Sequence, residues 1–361
     1  MKRRIVMSEK LMVKGNEAMA EAAIRAGCRL YFGYPITPQS ELTEYMARRL
    51  PEVKGTFLQS ESEVAAVNMI YGAASTGTRV MTSTSSPGFS LMQEGISYIA
   101  GAQLPCVFIN VVRGGPGLGD IQPAQSDYFQ GTKGGGHGDY RLITLAPSSI
   151  QEAVDLIPLA FELADKYRNP SLILADGMLG QMMEPVSFSE FKDLSELPDH
   201  SDWAMQGNEG REPHKITSFD IDPNKLEEMN MVYNEKYKEI MEKEVRYETT
   251  QVEDAEYIMV AYGTMGRILS NVLKMARSEG IKVGLFRPIS LWPFPYKALN
   301  DLIKGKKGVL TVEMSTGQMV EDVKLGVNGE IPVNFYGRTG GVVPTPNEVL
   351  EQLKQMIGRG E

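Results

Sequence analysis

The chain has 361 residues, of which 42% are hydrophobic, and its formal net charge is −9. This length allows about two domains, and the acidic balance argues against nucleic acid or an anionic membrane surface as a partner. No apolar run reaches the length of a membrane span, and residues 1–10 lack the apolar core of a signal peptide, so we expect a cytoplasmic protein.

The chain has only two cysteines, Cys28 and Cys106, and both lie in apolar segments. Iron–sulfur clusters are normally held by four thiolates, and structural zinc sites draw on a similar set of ligands. We therefore expect both cysteines to be buried as small hydrophobic side chains, with no metal on this chain and any electron-transfer centre on another.

Strand-like and helix-like segments alternate through the first half of the sequence. Apolar spacing and turn residues predict helices over 17–27, 61–75, 89–102 and 149–167, and strands over 30–34, 79–85, 105–112, 141–145 and 171–175. This alternation predicts a doubly wound α/β domain on a parallel sheet, over residues 8–187.

Residues 188–252 are polar and charged, and we interpret them as a connector that carries one long helix. A second α/β domain is predicted over 253–361, with strands over 257–262, 282–286, 308–312 and 333–336 and helices over 267–279 and 347–357. The glycine-containing turn at 263–266 either cradles a phosphate at a helix N-terminus or is a plain strand-to-helix turn, because it lacks a full nucleotide-binding spacing.

Thr37 lies in the segment 34–38, Tyr-Pro-Ile-Thr-Pro, where a predicted strand ends and a helix begins. Ligands of parallel α/β sheets bind beyond the carboxyl ends of the strands, and the two prolines stiffen this turn. The Thr37 hydroxyl can therefore orient a small ligand, or it can cap the helix with Pro38 at the first helical position. The residues alone leave both interpretations open.

Glu61 and Glu63 open the second predicted helix. By helical spacing, Glu63 shares a face with Ala66, Val67 and Ile70. A carboxylate on an apolar face is costly unless it is paired. The alternative is that both acidic residues simply complement the helix dipole in the first turn.

Three segments resemble the 2-oxoacid:ferredoxin oxidoreductases: 34–38, Gln-Ser-Glu-Ser-Glu at 59–63, and Leu-Pro at 104–105 leading into Val-Val-Arg-Gly-Gly-Pro at 111–116. More narrowly, the chain is similar to the large subunit of the 2-ketoisovalerate (3-methyl-2-oxobutanoate) and 2-oxoglutarate types. The likeness runs from Gly15 into the second α/β domain. It implies thiamine diphosphate (ThDP) as cofactor, bound between a pyrimidine-binding domain of this subunit and a diphosphate-binding domain of a partner.

The resemblance implies roles for individual residues. ThDP enzymes carry a glycine nine residues after the glutamate that contacts N1′ of the aminopyrimidine, and Gly72 lies nine residues after Glu63. Sharing a proton with N1′ favours the imino form of the 4′ nitrogen, which activates the coenzyme for attack on a 2-oxo carbon. Glu63 is therefore implied as the catalytic residue, with Tyr34, Pro35 and Ile36 beside it at the cofactor.

The family also implies that Arg113, at the end of a buried strand, binds the substrate carboxylate, with Thr37 near the substrate carbonyl. From the residues alone, Arg113 could instead form an ion pair with Asp120. His137, in a glycine-rich run, could contact substrate or coenzyme A, or make a structural hydrogen bond.

The chain lacks the Gly-Asp-Gly…Asn signature of the Mg²⁺–diphosphate half of a ThDP site; Ala-Asp-Gly at 175–177 is the nearest approach. The family then implies that Mg²⁺ and iron–sulfur clusters belong to partner subunits: a diphosphate-binding subunit, a small gamma-type subunit and a ferredoxin-like subunit. A dimer of such heteromers, with ferredoxin as electron acceptor, is the implied assembly. The second domain is expected to resemble the C-terminal domain of transketolase.

The sequence thus predicts a subunit that, with its partners, converts a 2-oxoacid and coenzyme A (CoA) to an acyl-CoA and reduces ferredoxin. Overall resemblance favours a branched-chain substrate such as 2-ketoisovalerate, with 2-oxoglutarate as the alternative; Lys133 or Arg141 at the site would favour the dicarboxylate. Two other classes stay open. One is a non-catalytic assembly subunit with the ThDP fold, and the other is a nucleotide-dependent dehydrogenase that uses the turn at 263–266.

Overall fold

Two parallel-rich β-sheets organise residues 10–358, the part of the chain that this computed structural model describes. Residues 8–9 of the predicted first domain and 359–361 of the predicted second lie outside the described residues, as does most of the segment 1–10 on which the predicted location rests. Within the described range, no helix is both long and apolar enough to cross a membrane.

The first half of the chain alternates strands and helices as predicted. Its elements are β1 (Leu11–Lys14), α1 (Gly15–Arg25), β2 (Leu30–Gly33), α2 (Ser40–Glu52), β3 (Thr56–Gln59), α3 (Glu63–Ala74), β4 (Val80–Thr84), α4 (Ser86–Gly101), β5 (Val107–Val112), α5 (Tyr128–Thr132), β6 (Ile143–Leu145), α6 (Ile150–Tyr167), β7 (Ser171–Asp176), α7 (Gly177–Gln181) and β8 (Met183–Val186).

The second half contains a long helix followed by a second α/β unit. Its elements are a short 3₁₀ helix (Leu194–Glu196), α8 (Pro223–Lys243), β9 (Tyr247–Thr250), β10 (Tyr257–Val260), α9 (Gly263–Ser278), β11 (Val283–Pro288), β12 (Ser290–Trp292), α10 (Tyr296–Leu302), β13 (Gly308–Glu313), α11 (Met319–Val327), β14 (Val333–Gly337) and α12 (Pro346–Gly358).

The larger sheet has seven strands in the order β12-β6-β7-β5-β4-β2-β3. All pairings are parallel except that of β12 with β6. Helices α3 and α4 pack on one face, and α1, α2 and α6 pack on the other, which confirms the doubly wound fold. The central strands β4, β5 and β7 are buried along their whole length, as expected for a parallel sheet covered on both faces.

The smaller sheet has five strands in the order β14-β13-β10-β11-β9. Its strands are parallel except for β9, which pairs antiparallel with β11 at the edge. The sequence pattern missed β9, which lies in the segment interpreted as a polar connector. All four of its residues are exposed, so no alternation of apolar and polar residues marks it as a strand.

Strand β12 ties the two sheets together. The chain leaves β11 and pairs antiparallel with β6 at the edge of the larger sheet, where Ser290 lies opposite Leu145. This pairing covers an edge that would otherwise expose unpaired backbone groups. It was not predicted, because a strand of three residues has no period to detect.

Helix α9 begins at Gly263, whereas the sequence predicted a turn over 263–266 and a helix from Arg267. The predicted start is wrong because the first turn of α9 packs against the larger sheet. A Cβ placed on Gly263 would lie 3.3 Å from Gln125 Nε2 and 4.0 Å from Asp176 Oδ2. A carboxylate at a helix N-terminus is favourable, and a phosphate bound there would meet a like charge.

Candidate active site

The candidate site lies at the carboxyl ends of four adjacent strands, β5, β4, β2 and β3. The chain leaves β2 into α2 on one face of the sheet, and it leaves β3 and β4 into α3 and α4 on the other. A crevice opens where consecutive connections diverge in this way, and ligands of doubly wound folds bind in such crevices.

Thr37 lies between the end of β2 and the start of α2. Helix α2 begins at Ser40 with Gln39 in the capping position, so the structure does not show Thr37 as a helix cap. Thr37 is exposed, its peptide bond to Pro38 is cis, and its hydroxyl makes no hydrogen bond within residues 10–358. The adjacent Pro38 carbonyl accepts hydrogen bonds from Asn16 Nδ2 at 2.7 Å and Gln181 Nε2 at 3.0 Å. The turn is therefore anchored, while the hydroxyl is left available.

A buried polar network supports the same turn from below. The Gln39 side chain donates to the Tyr34 carbonyl at 3.4 Å, and its oxygen accepts hydrogen bonds from Ser83 at 2.6 Å and Thr43 at 3.0 Å. The Tyr31 hydroxyl joins both of these hydroxyls, at 2.8 and 2.9 Å. Satisfied buried networks of this kind hold one backbone conformation.

Glu63 is the first residue of α3, and Ser62 caps the helix by accepting a hydrogen bond from the main chain. Glu63 is 6% exposed and shares its buried face with Ala66, Val67 and Ile70, as the spacing predicted. Glu61 lies just outside the helix and is exposed. Within the described part of the chain no hydrogen bond or ion pair reaches the Glu63 carboxylate, so a dipole in the first turn is its only compensation.

Gly88 in the first turn of α4 makes room for Glu63. A Cβ built on Gly88 would come 2.5 Å from Glu63 Oε1 and would collide with the Thr84 hydroxyl as well. Only a residue without a side chain fits between these two groups. The sequence interpretation missed Gly88, although a Ser-Pro-Gly segment directly after a buried strand is a signal for close backbone approach.

Arg113 follows β5 and is 7% exposed. Its Nη1 donates to the Thr37 carbonyl and its Nη2 to the Leu118 carbonyl, both at 3.0 Å, whereas Nε is buried without a partner. The ion pair with Asp120 that the residues left open does not form; the Asp120 carboxylate accepts from the main chain of Gln122 instead. Three of the five guanidinium N–H groups thus remain for a ligand.

A chain of contacts at this end of the sheet links Thr37, Arg113 and Glu63. Arg113 contacts Thr37 directly, and the main chain of Arg113 is hydrogen bonded to Ser86, two residues before the Gly88 that touches Glu63. Tyr34, Pro35 and Ile36 form the rim of the same turn and are exposed or half-buried. A cavity of about 590 Å³ adjoins Thr37 on the α2 side, lined by Pro38, Ser40, Glu41, Ile121, Gln122, Pro123, Gly177, Met178, Gln181, Gly341 and Val343.

Three other polar residues considered from the sequence lie elsewhere. His137 is exposed in a cavity with Ser97 near the end of α4, and Ser97 lies nine positions after Gly88 on this helix, a rise of about 14 Å. Lys133 is bound to Asp322 at 2.6 Å. Arg141 donates to the Tyr140 carbonyl just before β6, at the opposite end of the sheet.

Both cysteines are buried and free, as predicted. Burial raises the pKa of the Cys28 thiol to about 12 and raises the pKa of the Cys106 thiol as well. Neither belongs to the crevice.

Comparison with protein families places nearly the whole chain in one enzyme group. The family model described as pyruvate flavodoxin/ferredoxin oxidoreductase, thiamine diphosphate binding, matches residues 21–257. The model described as pyruvate:ferredoxin oxidoreductase core domain II matches residues 255–349.

Curated relatives match over almost their full length. The ketoisovalerate oxidoreductase subunit VorB of Methanothermobacter marburgensis is 51% identical, over 96% of this chain and 98% of its own. The 2-oxoglutarate synthase subunit KorA of the same organism is 35% identical, over 97% of this chain and 100% of its own.

Two solved structures are similar in fold. A 2-oxoglutarate:ferredoxin oxidoreductase from Magnetococcus marinus, with 2-oxoglutarate, coenzyme A and succinyl-CoA bound, superimposes with a TM-score of 0.85 at 26% identity; the match covers 97% of this chain and 66% of that one, so this chain spans about two thirds of its length. A split-gene transketolase, an inactive beta4 tetramer, gives a TM-score of 0.57 at 14% identity and covers 97% of this chain and 99% of its own, a likeness of fold alone. Because both α/β units match the family models, and because relatives at 51% and 35% identity cover almost the whole chain, this chain belongs to the ThDP-binding 2-oxoacid:ferredoxin oxidoreductases, as its motifs predicted.

Proposed function

We propose that this chain is the pyrimidine-side subunit of a ThDP-dependent enzyme that converts a branched-chain 2-oxoacid and CoA to an acyl-CoA and passes the electrons to ferredoxin. Glu63 carries the proposal. It is a carboxylate buried on an apolar helix face, and no partner reaches it within residues 10–358. A buried charge of this kind requires a partner from outside the chain.

The surroundings of Glu63 fit the aminopyrimidine of ThDP. Gly88 leaves room for the Glu63 carboxylate between α4 and Thr84, which fixes where the carboxylate would meet a ring nitrogen. When bound, ThDP supplies a nucleophilic carbon for the 2-oxo group and an electron sink for decarboxylation. Glu63 would share a proton with N1′ of the ring, and Tyr34, Pro35 and Ile36 would line the same side.

Arg113 and Thr37 would orient the substrate. The unused N–H groups of the Arg113 guanidinium suit a carboxylate, and its two bonds to main-chain carbonyls fix the plane in which it binds. The free hydroxyl of Thr37, one residue from the anchored Pro38 carbonyl, would donate to the substrate carbonyl oxygen. Placing both groups on rigid segments favours one orientation of the 2-oxoacid.

The choice of a branched-chain substrate rests on two observations. The relative at 51% identity is named for ketoisovalerate, and the relative named for 2-oxoglutarate is 35% identical. In addition, Lys133 is occupied by Asp322 and Arg141 lies at the other end of the sheet, so neither basic residue can meet a second carboxylate at Arg113. 2-Oxoglutarate remains the alternative substrate.

A partner subunit would complete the site. Val64 on α3 and Leu91 on α4 are 47% and 53% exposed, and a Cβ placed on Gly72 of α3 meets nothing within 4 Å. We propose that a diphosphate-binding subunit packs on this face and brings Mg²⁺, with iron–sulfur clusters on further subunits of gamma and ferredoxin type. A relative was solved with coenzyme A bound, which supports coenzyme A as the acyl acceptor here.

The test is anaerobic dye reduction by this chain co-expressed with its genomic neighbours and supplied with ThDP, Mg²⁺ and CoA. We expect reduction that requires CoA, that this chain alone does not catalyse, and that is fastest with 2-ketoisovalerate. Fastest turnover with 2-oxoglutarate would keep the mechanism and change the substrate. No turnover with any 2-oxoacid, from a complex shown to hold its clusters, would favour the non-catalytic assembly subunit.

Glu63→Gln separates catalysis from assembly. We expect the variant complex to assemble normally and to lose at least about 100-fold in turnover, the usual range for a positioned proton-transfer group. Glu61→Gln is the matched control, because Glu61 is two residues away and exposed, and it should keep full activity. Equal activity of both variants would contradict the role of Glu63. For the dehydrogenase alternative, the N-terminus of α9 faces Asp176, so calorimetric titration with NAD should show no binding.

A further inference from the structure

Asp127 is a buried carboxylate that the proposed chemistry does not use. It is 8% exposed, just before α5, and within residues 10–358 it forms no ion pair. Its Oδ2 accepts a hydrogen bond from Asn110 Nδ2 of β5 at 2.9 Å. Burial raises the pKa of Asp127, and hydrogen bonds from Ser86 and Asn110 oppose that effect.

Ser86 connects this carboxylate with Arg113. The Ser86 Oγ accepts from the Arg113 main-chain N–H at 3.1 Å and lies 3.3 Å from the Arg113 carbonyl. The single hydroxyl proton can be given to that carbonyl or to the Asp127 carboxylate, and a charged acceptor makes the stronger bond. Asp127 thus fixes both the start of α4, through Ser86, and the C-terminal half of β5, through Asn110.

The second α/β unit fixes the segment that carries Asp127. On one side, Gln125 donates its main-chain N–H to the Met314 carbonyl at 2.8 Å, accepts from Met314 N at 3.0 Å, and donates to the Tyr262 carbonyl at 2.9 Å. On the other side, the Gln318 side chain donates to the Ser126 carbonyl at 2.7 Å and accepts a hydrogen bond from the Phe129 main-chain N–H at 2.9 Å. These two contacts bracket Asp127.

We propose that Asp127 is a positioning residue: it holds the main chain of Arg113 in place through Ser86 and Asn110, and the second α/β unit holds Asp127 through Gln125 and Gln318. This inference rests on the proposed function, since it assumes that Arg113 binds the substrate carboxylate. It gives Met314 and Gln318 of the second unit a role in holding the site. The second unit contributes to substrate binding by fixing the geometry of a group that belongs to the first.

The test is a double-mutant cycle in the assembled complex, with 2-ketoisovalerate as the varied substrate. Asp127→Asn should raise KM about tenfold, which corresponds to 1.4 kcal/mol at 25 °C. ThDP affinity, measured by calorimetry, should change less than twofold, because within residues 10–358 the Glu63 carboxylate makes no hydrogen bond to Ser86, Asn110 or Asp127 and the substitution changes no atom of α3. In an Arg113→Lys background, Asp127→Asn should not raise KM further. A lysine ammonium on its flexible side chain binds a carboxylate without the fixed orientation that a planar guanidinium requires.

Asp322→Asn is the matched control. Asp322 is also a buried carboxylate, bonded by Tyr128, Lys133 and Tyr296 on the far side of α5, but it does not touch Ser86 or Asn110. Asp322→Asn should lower the melting temperature, and any change in KM should be the same factor in the wild-type and Arg113→Lys backgrounds. A purely structural role of Asp127 would give that pattern as well.

An equal factor for Asp127→Asn in both backgrounds, or a parallel loss of ThDP affinity, would overturn the proposal. If Asp127→Asn does not assemble, Ser86→Ala decides, because it breaks the same path and leaves the carboxylate in place: it should raise KM in the wild-type background only, and an unchanged KM would refute the role. A wild-type complex without 2-oxoacid turnover would refute the proposed function itself, whereas turnover with additive effects would refute only the positioning role.

Discussion

Gly88→Ala tests whether the position of the Glu63 carboxylate is set by the bare backbone of α4. The added Cβ would lie 2.5 Å from Glu63 Oε1, so one of the two groups must move by about 1 Å to reach ordinary contact. The neighbouring Thr84 cannot yield easily, because a β-branched side chain on a buried strand has few rotamers. The start of α4 must therefore shift away from Thr84 Oγ1, which the Cβ would meet at 2.1 Å, and the flexible Glu63 side chain must move with it.

The expected effect has two parts. Overpacking of a filled core costs about 1–3 kcal/mol of stability, and a displacement of about 1 Å at a reacting group can cost about 100-fold in rate. We expect Gly88→Ala to fold and assemble, with a modestly lower melting temperature and a fall of about 100-fold in 2-oxoacid-dependent dye reduction. The deficit should persist at saturating ThDP.

Gly95→Ala provides a matched control on the same pair of helices. A Cβ on Gly95 of α4 would meet the two methyl groups of Val67 at 2.5 and 2.6 Å. This is a similar steric clash, two helical turns away from the Glu63 carboxylate. It should cost similar stability and leave the specific activity of the assembled complex within about twofold of wild type. If the two variants lose activity in proportion to their stability, the reasoning about Gly88 is refuted.

Three further outcomes follow from the structure. Gly72→Ala should stabilise the uncomplexed chain by about 0.5–1 kcal/mol, because alanine favours the helix and its Cβ meets open space, while weakening assembly with the partner subunit; unchanged assembly in analytical ultracentrifugation would contradict the proposed interface. For Glu244, burial disfavours the charged form, but hydrogen bonds led by that from Lys166 outweigh it and lower the pKa from 4.5 to about 2. The stabilisation is therefore fully present above pH 4.5 and lost as pH falls toward 2. Glu244→Gln should lower the free energy of unfolding by about 2 kcal/mol at neutral pH, and should reduce the fall in that free energy below pH 4.5 in urea unfolding. An unchanged fall below pH 4.5 would refute the linkage. In the native protein neither Cys28 nor Cys106 should react with a thiol reagent at pH 8, and both should react on unfolding; rapid native labelling would contradict their burial.

The part of the fold that could be predicted from the sequence is the part encoded locally. The apolar strand β5 and the face of α3 that carries Glu63 each follow from a period within one element, and both predictions are confirmed. The turn at 34–38 was recognised from its prolines and its place after a strand. Each of these signals is contained in a window of about ten residues.

What could not be predicted depends on contacts between distant segments. β12 pairs with β6 across 145 positions of sequence, from Leu145 to Ser290, and the three residues of β12 carry no signal of their own. The start of α9 depends on Asp176, which comes from the first unit. The bonds from Arg113 to the carbonyls of Thr37 and Leu118 use main-chain acceptors, which every residue carries and no sequence pattern reveals.

The candidate site is best defined by the groups that the fold leaves unsatisfied. Among residues 10–358, the Glu63 carboxylate has no hydrogen-bond or ion-pair partner, Arg113 Nε has no acceptor, and a Cβ placed on Gly72 would meet nothing within 4 Å. An unpaired polar group costs stability when it is buried. Natural proteins keep such groups chiefly at functional sites, where a ligand or a partner subunit can pair with them. Glu63 and Gly72 both belong to α3, which packs with α4 on one face of the larger sheet, and Arg113 lies at the end of β5. A cofactor held by a partner subunit on the α3–α4 face would supply the missing partner of Glu63.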